Sequence, residues 1–268
     1  MSSRLNDKGF AMLDASRVDA NGARNVKEQV AEEVPVALTY NGISHAVMMA
    51  SPRDLEDFAL GFSLSEGIVT NANDIIDMEL REETDGISLD MQIIERHMRA
   101  LKDRRRNLVG RTGCGLCGAD SLAGAIRPIA RVDAALQVTV RDIQGGFARL
   151  AAQQTLNHAT GAVHAAGLID GEHCLMREDI GRHNALDKLI GAMHRENRRR
   201  GFLVVTSRAS YEMVHKAASA NIALIAAISA PSALAIDLAR AAGMTLIGFA
   251  RPEGMTIYTT GRGVVEVS

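Results

Sequence analysis

Three cysteines punctuate the chain, and two of them, Cys114 and Cys117, stand in the run Gly113-Cys114-Gly115-Leu116-Cys117-Gly118. A C-x-x-C pair can ligate zinc, cycle as a disulfide or carry sulfur. Zinc needs two further ligands, and only Cys174 with one of His164, His173 or His183 could supply them; there is no second C-x-x-C or paired-His motif. No zinc is therefore expected. A thioredoxin-type pair follows a strand, opens a helix and has Trp or Pro neighbours, none of which holds here. Sulfur carriage needs a deprotonated, accessible thiol on a mobile arm. The four glycines around the pair, Arg111 and the nearby Arg104, Arg105 and Arg106 favour such a thiolate. An unreactive loop pair is the plain alternative. Cys174 sits in an apolar strand pattern and reads as a small core residue. The run also matches G-x-G-x-x-G, but no apolar strand feeds its first glycine, as a dinucleotide fingerprint requires.

A second group of residues suits anions. Arg177, Arg182, His183 and Asn184 precede or open a helix, where backbone amides and cationic side chains attract phosphate. Ser207 and Arg208 recur at a strand-to-helix junction, Ser229 to Ser232 form a third, and Arg251 after Phe249 a fourth. Ligands of open α/β layers collect at such strand ends. Several junctions with hydroxyl, amide or arginine groups point to a cleft for a phosphate-bearing ligand. His164 lies in an apolar strand, where a satisfied core histidine is the plain reading.

The elements that must position these residues follow from periodicity. Val34–Tyr40 and Ile43–Met49 flank Asn41-Gly42, the strongest short hairpin signal. Ser51-Pro52 is expected to cap a helix whose face is Leu55, Phe58, Ala59 and Phe62, closed by Gly67. Met78–Arg81 and Ile87–Ile93 form a second strand pair. Beyond residue 133, strands at 162–169, 173–176, 202–205, 222–228 and 244–249 are interspersed with helices: one marked by Ile143, Phe147, Leu150 and Ala151, one marked by Leu186, Leu189, Ile190 and Met193 and ending at Arg198 to Gly201, and two over 211–220 and 233–242. The expected class is α/β, α+β overall. Residues 1–30 read as a mobile tail, 31–110 as a smaller β-rich subdomain, 111–132 as the cysteine loop and linker, and 133–268 as an α/β domain.

Composition bounds the function. The 268 residues are 47% hydrophobic and 23% charged, as in a globular protein. Thirty basic against 32 acidic residues leave a net charge of −2, so no diffuse field is available for nucleic acid and an anion site must be local. Aromatics at 3%, without Trp, argue against serial base stacking. No apolar run approaches the ~20 residues of a membrane helix, no signal peptide is recognisable, and the odd cysteine count argues for a cytoplasmic protein rather than a secreted disulfide framework.

Taken together, the segments Arg111–Gly118, Thr160–His164, Arg177–Lys188, Ser207–Met213, Ser229–Ser232, Gly248–Gly254 and Tyr258-Thr259 resemble the formate dehydrogenase accessory sulfurtransferases, the FdhD family. They fall in the family's order and, with the amino-terminal hairpin and helix, cover nearly the whole chain beyond the tail. Ala162 and Ser207 stand where the family often has glycine. The resemblance implies a cytidine-deaminase-like fold for the second half. It implies a cytoplasmic, homodimeric protein that takes sulfur from a cysteine desulfurase. That sulfur would pass to the molybdenum cofactor in its bis(molybdopterin guanine dinucleotide) form, for the formate dehydrogenase catalytic subunit. It carries the persulfide over to Cys114, with Cys117 as partner. It places cofactor contacts on Phe249, Ala250, Arg251, Pro252, Glu253 and Gly254, and implies guanine nucleotide binding; Arg182, His183, Ser207 and Arg208 are the further candidates from the junctions. Two rivals remain: a chaperone that binds the cofactor without moving sulfur, and a zinc nucleoside deaminase. The latter needs His-x-Glu or Cys-x-Glu upstream of Pro-Cys-x-x-Cys, and neither the upstream pair nor the proline is present.

Overall fold

The computed structural model describes residues 8–109, 128–129 and 131–266. Cys114 and Cys117 lie outside the described residues. The chain opens with a hairpin, β1 (Phe10–Asp19) and β2 (Gly22–Ala31), paired in register from Phe10 opposite Ala31 to Asp19 opposite Gly22. This corrects the expectation of a tail. Both faces of the hairpin are largely exposed, so it lacks the apolar alternation by which a strand is read.

β3 (Val34–Tyr40) and β4 (Ile43–Ala50) form the expected hairpin, with Asn41 and Gly42 at φ +47° and +76°. They join β5 (Ile75–Glu83) and β6 (Gly86–Ile93) in a four-stranded sheet ordered β4-β3-β6-β5. Helix α1 (Leu55–Ser65) covers it, placing Phe58 and Phe62 on Val36, Leu38, Leu89 and Met91. Ser51 and Pro52 do not cap α1. Asp54 does, in a left-handed conformation and without a side-chain hydrogen bond. Ser51 has another use, described below. Helix α2 (Glu95–Val109) follows and leads toward the cysteine segment.

The second half is built on a six-stranded sheet ordered β13-β12-β11-β10-β8-β9. Its strands are β8 (His164–Asp170), β9 (His173–Asp179), β10 (Phe202–Val205), β11 (Leu224–Ala227), β12 (Thr245–Arg251) and β13 (Gly254–Thr259). β10, β11 and β12 run parallel, while β8 runs antiparallel to both β9 and β10. One face carries α5 (Arg182–Arg195), α6 (Tyr211–Ser219) and α7 (Ala233–Ala242). The other carries α3 (Val140–Gln153), which short α4 (Thr155–Thr160) follows. The buried, continuous apolar runs of β10 and β11 are what a sheet covered on both faces requires. β7 (Leu136–Thr139) pairs in parallel with β14 (Gly263–Glu266) beside it. α5 ends at Arg195, short of the Arg198 to Gly201 signal, because Asn197 turns left-handed at φ +52°.

The two halves meet through α1 and α5, which approach so closely that only glycine fits. A Cβ on Gly61 would lie 1.7 Å from the Asp187 carbonyl oxygen, and one on Gly191 2.0 Å from that of Asp57.

Candidate functional site at the carboxyl edge of the sheet

The carboxyl ends of three parallel strands and the amino end of β8 share one edge of the sheet. Thr206, Ser207 and Arg208 follow β10, Ile228 and Ser229 follow β11, and Phe249 to Arg251 end β12. His164 begins β8 and faces Asp179 at the end of β9. Helices α5, α6 and α7 all begin at this edge. α5 has Gly181 as its N-cap and no side chain bonded to its first turn, so its first amides and positive dipole end face the edge.

A buried hub fixes the start of α5. The carboxylate of Asp179, fully buried, accepts from the backbone N–H of Gly181 (2.8 Å), that of Ser51 (3.0 Å) and the Asn184 amide (3.1 Å). The Lys188 ammonium, also fully buried, lies 2.6 Å from the same carboxylate and donates to the Ser51 carbonyl at 2.9 Å. Ser51 Oγ accepts from Ile180 N–H at 3.1 Å. The residue read as a helix cap therefore ties the amino-terminal sheet to the loop that carries Arg182. One turn further along α5, Lys216 bridges Asp187 (2.9 Å) and Glu66 (2.8 Å) and donates to Ser65 (2.9 Å). Burial alone would lower the Lys216 ammonium, but Asp187 and Glu66 hold it above the usual lysine value, so it stays charged.

The edge is cationic through arginine rather than histidine. Burial, more than any other cause, pushes the His183 imidazole below its usual value, and Arg182 adds to this against the pull of Glu212. Its Nε2 lies 2.8 Å from Glu212 Oε2. His164 is lowered in the same way by burial and by Arg182. Both rings are thus held toward the neutral form at pH 7, so the positive charge at this edge comes from arginine. The Arg182 Nε is enclosed and has no hydrogen-bond partner among the described residues. Arg177 does not join the edge; it pairs with Asp57 at 2.7 Å beside α1.

On the α3 side of the edge lies a cavity of about 480 Å³, lined chiefly by apolar groups. Ile143, Phe147 and Leu150 of α3 form one wall, and Thr206, Ile228 and Met255 contribute to the others. Ala250, Arg251 and Pro252 supply the rim, and Gln144 Nε2 donates to the Pro252 carbonyl at 2.9 Å. Gln154 lies in the lining, 6% exposed, and its amide nitrogen has no hydrogen-bond partner among the described residues. A buried donor left unpaired costs ~1–3 kcal/mol, so this nitrogen is a position that a ligand oxygen or ring nitrogen would satisfy.

Of the residues expected to contact a cofactor, Ala250, Arg251 and Pro252 line this cavity. Phe249 stands 43% exposed beside it with φ +50°, its N–H donating to the Ser229 carbonyl at 3.2 Å. A left-handed conformation is strained for a bulky side chain. Glu253, in the exposed turn between β12 and β13, and Gly254, which opens β13 opposite Arg251, are not in the lining. Ser207 is buried and its hydroxyl donates to the Arg208 carbonyl at 3.1 Å, so it holds the loop. Arg208 is exposed at the edge. Sequence reasoning missed Gln154, Phe147 and Thr206 as lining residues. Phe147 carried a signal only as part of an apolar helix face, and Gln154 carried none.

Cys174 lies in β9 as expected, half-buried, and burial pushes its thiol up to about 11. It is therefore a neutral thiol at pH 7, unsuited to attack on a persulfide. Among the described residues, no group of three or more His, Cys, Asp or Glu side chains is placed to hold a metal ion. No helix among them is long and apolar enough to cross a membrane.

The fold and the edge define a class: a mixed α/β layer with a cavity at its strand ends, and a small sheet-and-helix module docked on its α5. Comparison with known proteins gives the family. The sequence model of the FdhD/NarQ family matches residues 31–265. The sulfur carrier protein FdhD of Cupriavidus necator is 54% identical over 238 residues, 86% of this chain and 82% of that protein. The sulfur carrier protein FdhD of Xanthomonas euvesicatoria is 50% identical over 262 residues, 96% of this chain and 93% of that one. The crystal structure of a candidate formate dehydrogenase accessory protein from Desulfotalea psychrophila superposes with a TM-score of 0.71. It is 25% identical and covers 94% of this chain and 97% of its own. The chain belongs to the FdhD/NarQ family.

Proposed function

We propose that this chain is a cytoplasmic sulfurtransferase. It takes sulfane sulfur from a cysteine desulfurase onto Cys114 and delivers it to bis(molybdopterin guanine dinucleotide) molybdenum cofactor destined for the formate dehydrogenase catalytic subunit. The relatives' name as sulfur carriers supports the sulfur step. The observation that carries the cofactor step is the cavity at the sheet edge, because half of the segment expected to contact the cofactor lines it. Its ~480 Å³ suits one heterocyclic end of the cofactor and not the whole of it. Gln154 offers an unpaired donor to the heterocycle, Phe249 an exposed ring for stacking, and Arg182, Arg208 and the start of α5 a cationic rim for pyrophosphate.

The chemistry balances without an added metal. The Cys114 thiolate attacks the outer sulfur of the donor persulfide; a new S–S bond forms, the donor's S–S bond breaks, and the donor leaves as a thiolate. Release of that sulfur as hydrosulfide needs two electrons. The Cys117 thiol supplies them by closing a Cys114–Cys117 disulfide, which an external thiol then reopens. The hydrosulfide replaces an oxygen ligand on the substrate metal, which departs as hydroxide.

The test is an intact mass after incubation with desulfurase and cysteine. A gain of about 32 Da, one sulfur, is expected in the native chain and absent in Cys114→Ala. No gain in the native chain would leave the non-catalytic chaperone.

A further inference from the structure

Gln154 stands between α3 and α4, 6% exposed, and its Nε2 is enclosed with no hydrogen-bond partner among the described residues. A polar group so placed usually serves the fold, and here the obvious duty is taken by another residue. Gln154 is the N-cap of α4, where a side chain ordinarily bonds the first free amides, yet it makes no such bond. The buried Glu178 carboxylate of β9 takes them instead, accepting from Leu156 N–H at 2.9 Å and Asn157 N–H at 2.8 Å. The carboxamide is therefore not needed to hold α4.

It lines the cavity of about 480 Å³. Ile143, Phe147, Leu150 and Ala151 present one apolar face of α3 to that cavity and lead along it to Gln154. At the other end Gln144 Nε2 is engaged by the Pro252 carbonyl at 2.9 Å. Ten residues of helical rise set Gln144 about 15 Å from Gln154 along the axis. The Thr206 hydroxyl is also engaged, accepting from Ala165 N–H at 2.9 Å. Inside the apolar walls the Gln154 carboxamide thus remains for a ligand, the kind of single polar group by which a pocket orients what it binds.

We infer that Gln154 reads the lactam edge of the heterocycle that enters this cavity: Nε2 donates to the ring's keto oxygen and Oε1 accepts from the adjacent ring N–H. This role rests on the cavity being the cofactor's. A carboxamide holds its donor and acceptor side by side, and the HN–C=O of a lactam is the matching pair. Guanine and hypoxanthine carry that pair, and unsubstituted purine does not. The two bonds use up the amide, so the 2-amino group of guanine goes unread. Adenine also has an adjacent donor and acceptor, which the amide meets after a half-turn about its last bond. Gln154 therefore selects for such an edge and not against adenine. The free chain carries an unpaired buried donor that the bound ring satisfies.

The test is calorimetry on the full-length chain with three nucleoside diphosphates. Those of guanosine and inosine are expected to bind the native chain within about threefold of each other, and that of purine riboside about tenfold or more weakly, because it leaves the buried amide unpaired. In Gln154→Met, of similar length but without the amide, the three affinities should converge to within about threefold. Its Tm without nucleotide should equal or exceed the native value, since the unpaired donor is gone. Purine riboside diphosphate binding the native chain as tightly as guanosine diphosphate, or a Gln154→Met chain that keeps the native order, would overturn the inference and leave the cofactor cavity in place. A variant Tm lower by more than about 4 °C would show that the amide serves the fold, and would also overturn it. A native chain that binds no guanosine diphosphate would remove the cofactor reading as well.

Discussion

Replacing Lys188 by Met is expected to cost about 3 kcal/mol of stability. The side chains are similar in volume, so the change removes charge rather than packing. It leaves the Asp179 carboxylate fully buried without its counter-ion 2.6 Å away. Breaking a buried pair from one side costs ~3–5 kcal/mol. The lower end applies because three N–H donors, from Ser51, Gly181 and Asn184, still reach the carboxylate. For a chain of this size each kcal/mol moves Tm by roughly 2–4 °C, so a fall of roughly 6–12 °C at pH 7 is expected by calorimetry. Lys27→Met, on an exposed strand, should move it by about 1–2 °C at most. The double variant Lys188→Met with Asp179→Asn should lose less than the sum of the single changes, because the orphaned charge is gone. A folded Lys188→Met protein with Tm within about 2 °C of the native chain would refute the assignment of Asp179 and Lys188 as the hub that joins the halves and sets the start of α5.

Three further outcomes follow from the same geometry. Arg182→Ala or Arg208→Ala is expected to weaken guanine nucleotide binding by about 1.5–3 kcal/mol in calorimetry, the worth of a charge-assisted hydrogen bond, while the Cys114 persulfide still forms; unchanged affinity in both would move the phosphate site elsewhere. His164, His183 and His194 are all lowered by burial, so the unfolded chain takes up protons first on acidification. Their contribution is present above the unfolded value of about pH 6.5 and is lost as pH falls through it toward the folded-state values, so Tm should decline as pH falls from about 6.5 to 5.5 and decline less in His183→Gln; a flat profile would contradict neutral, buried rings. Cys174→Ser should leave persulfide formation and formate dehydrogenase activation intact, since its thiol is neutral at pH 7; loss of either in a folded protein would reassign the sulfur-bearing residue.

Strong local signals carried much of the fold. Asn41-Gly42 required two left-handed residues, and the short apolar runs Phe202–Val205 and Leu224–Ala227 admitted only a covered parallel sheet. The hairpin at 10–31 was illegible because neither face is buried, and burial is what makes strand alternation visible. Ser51 read as a cap because Ser-Pro before an apolar face has that meaning locally; its bonds to Asp179, Ile180 and Lys188 span about 130 residues and have no local trace. The strand-end junctions placed Arg182, Arg208 and Arg251 at one edge, as periodicity and junction chemistry predicted. Gln154 escaped because its importance comes from being buried without a partner, a property of the packed chain alone. Gly61 and Gly191 likewise sit inside helix patterns, and only the contact of α1 with α5 explains them.

The central claim is that this chain moves sulfur to the cofactor rather than merely holding the cofactor. The most direct measurement loads Cys114 with radioactive sulfur from a desulfurase, removes the donor, adds bis(molybdopterin guanine dinucleotide) molybdenum cofactor, and separates cofactor from protein. The label is predicted to leave the native chain with the cofactor and to stay on the protein in Cys117→Ala, which cannot supply the two electrons. Label that remains on the native chain while the cofactor binds would contradict sulfur transfer and leave a cofactor-binding chaperone.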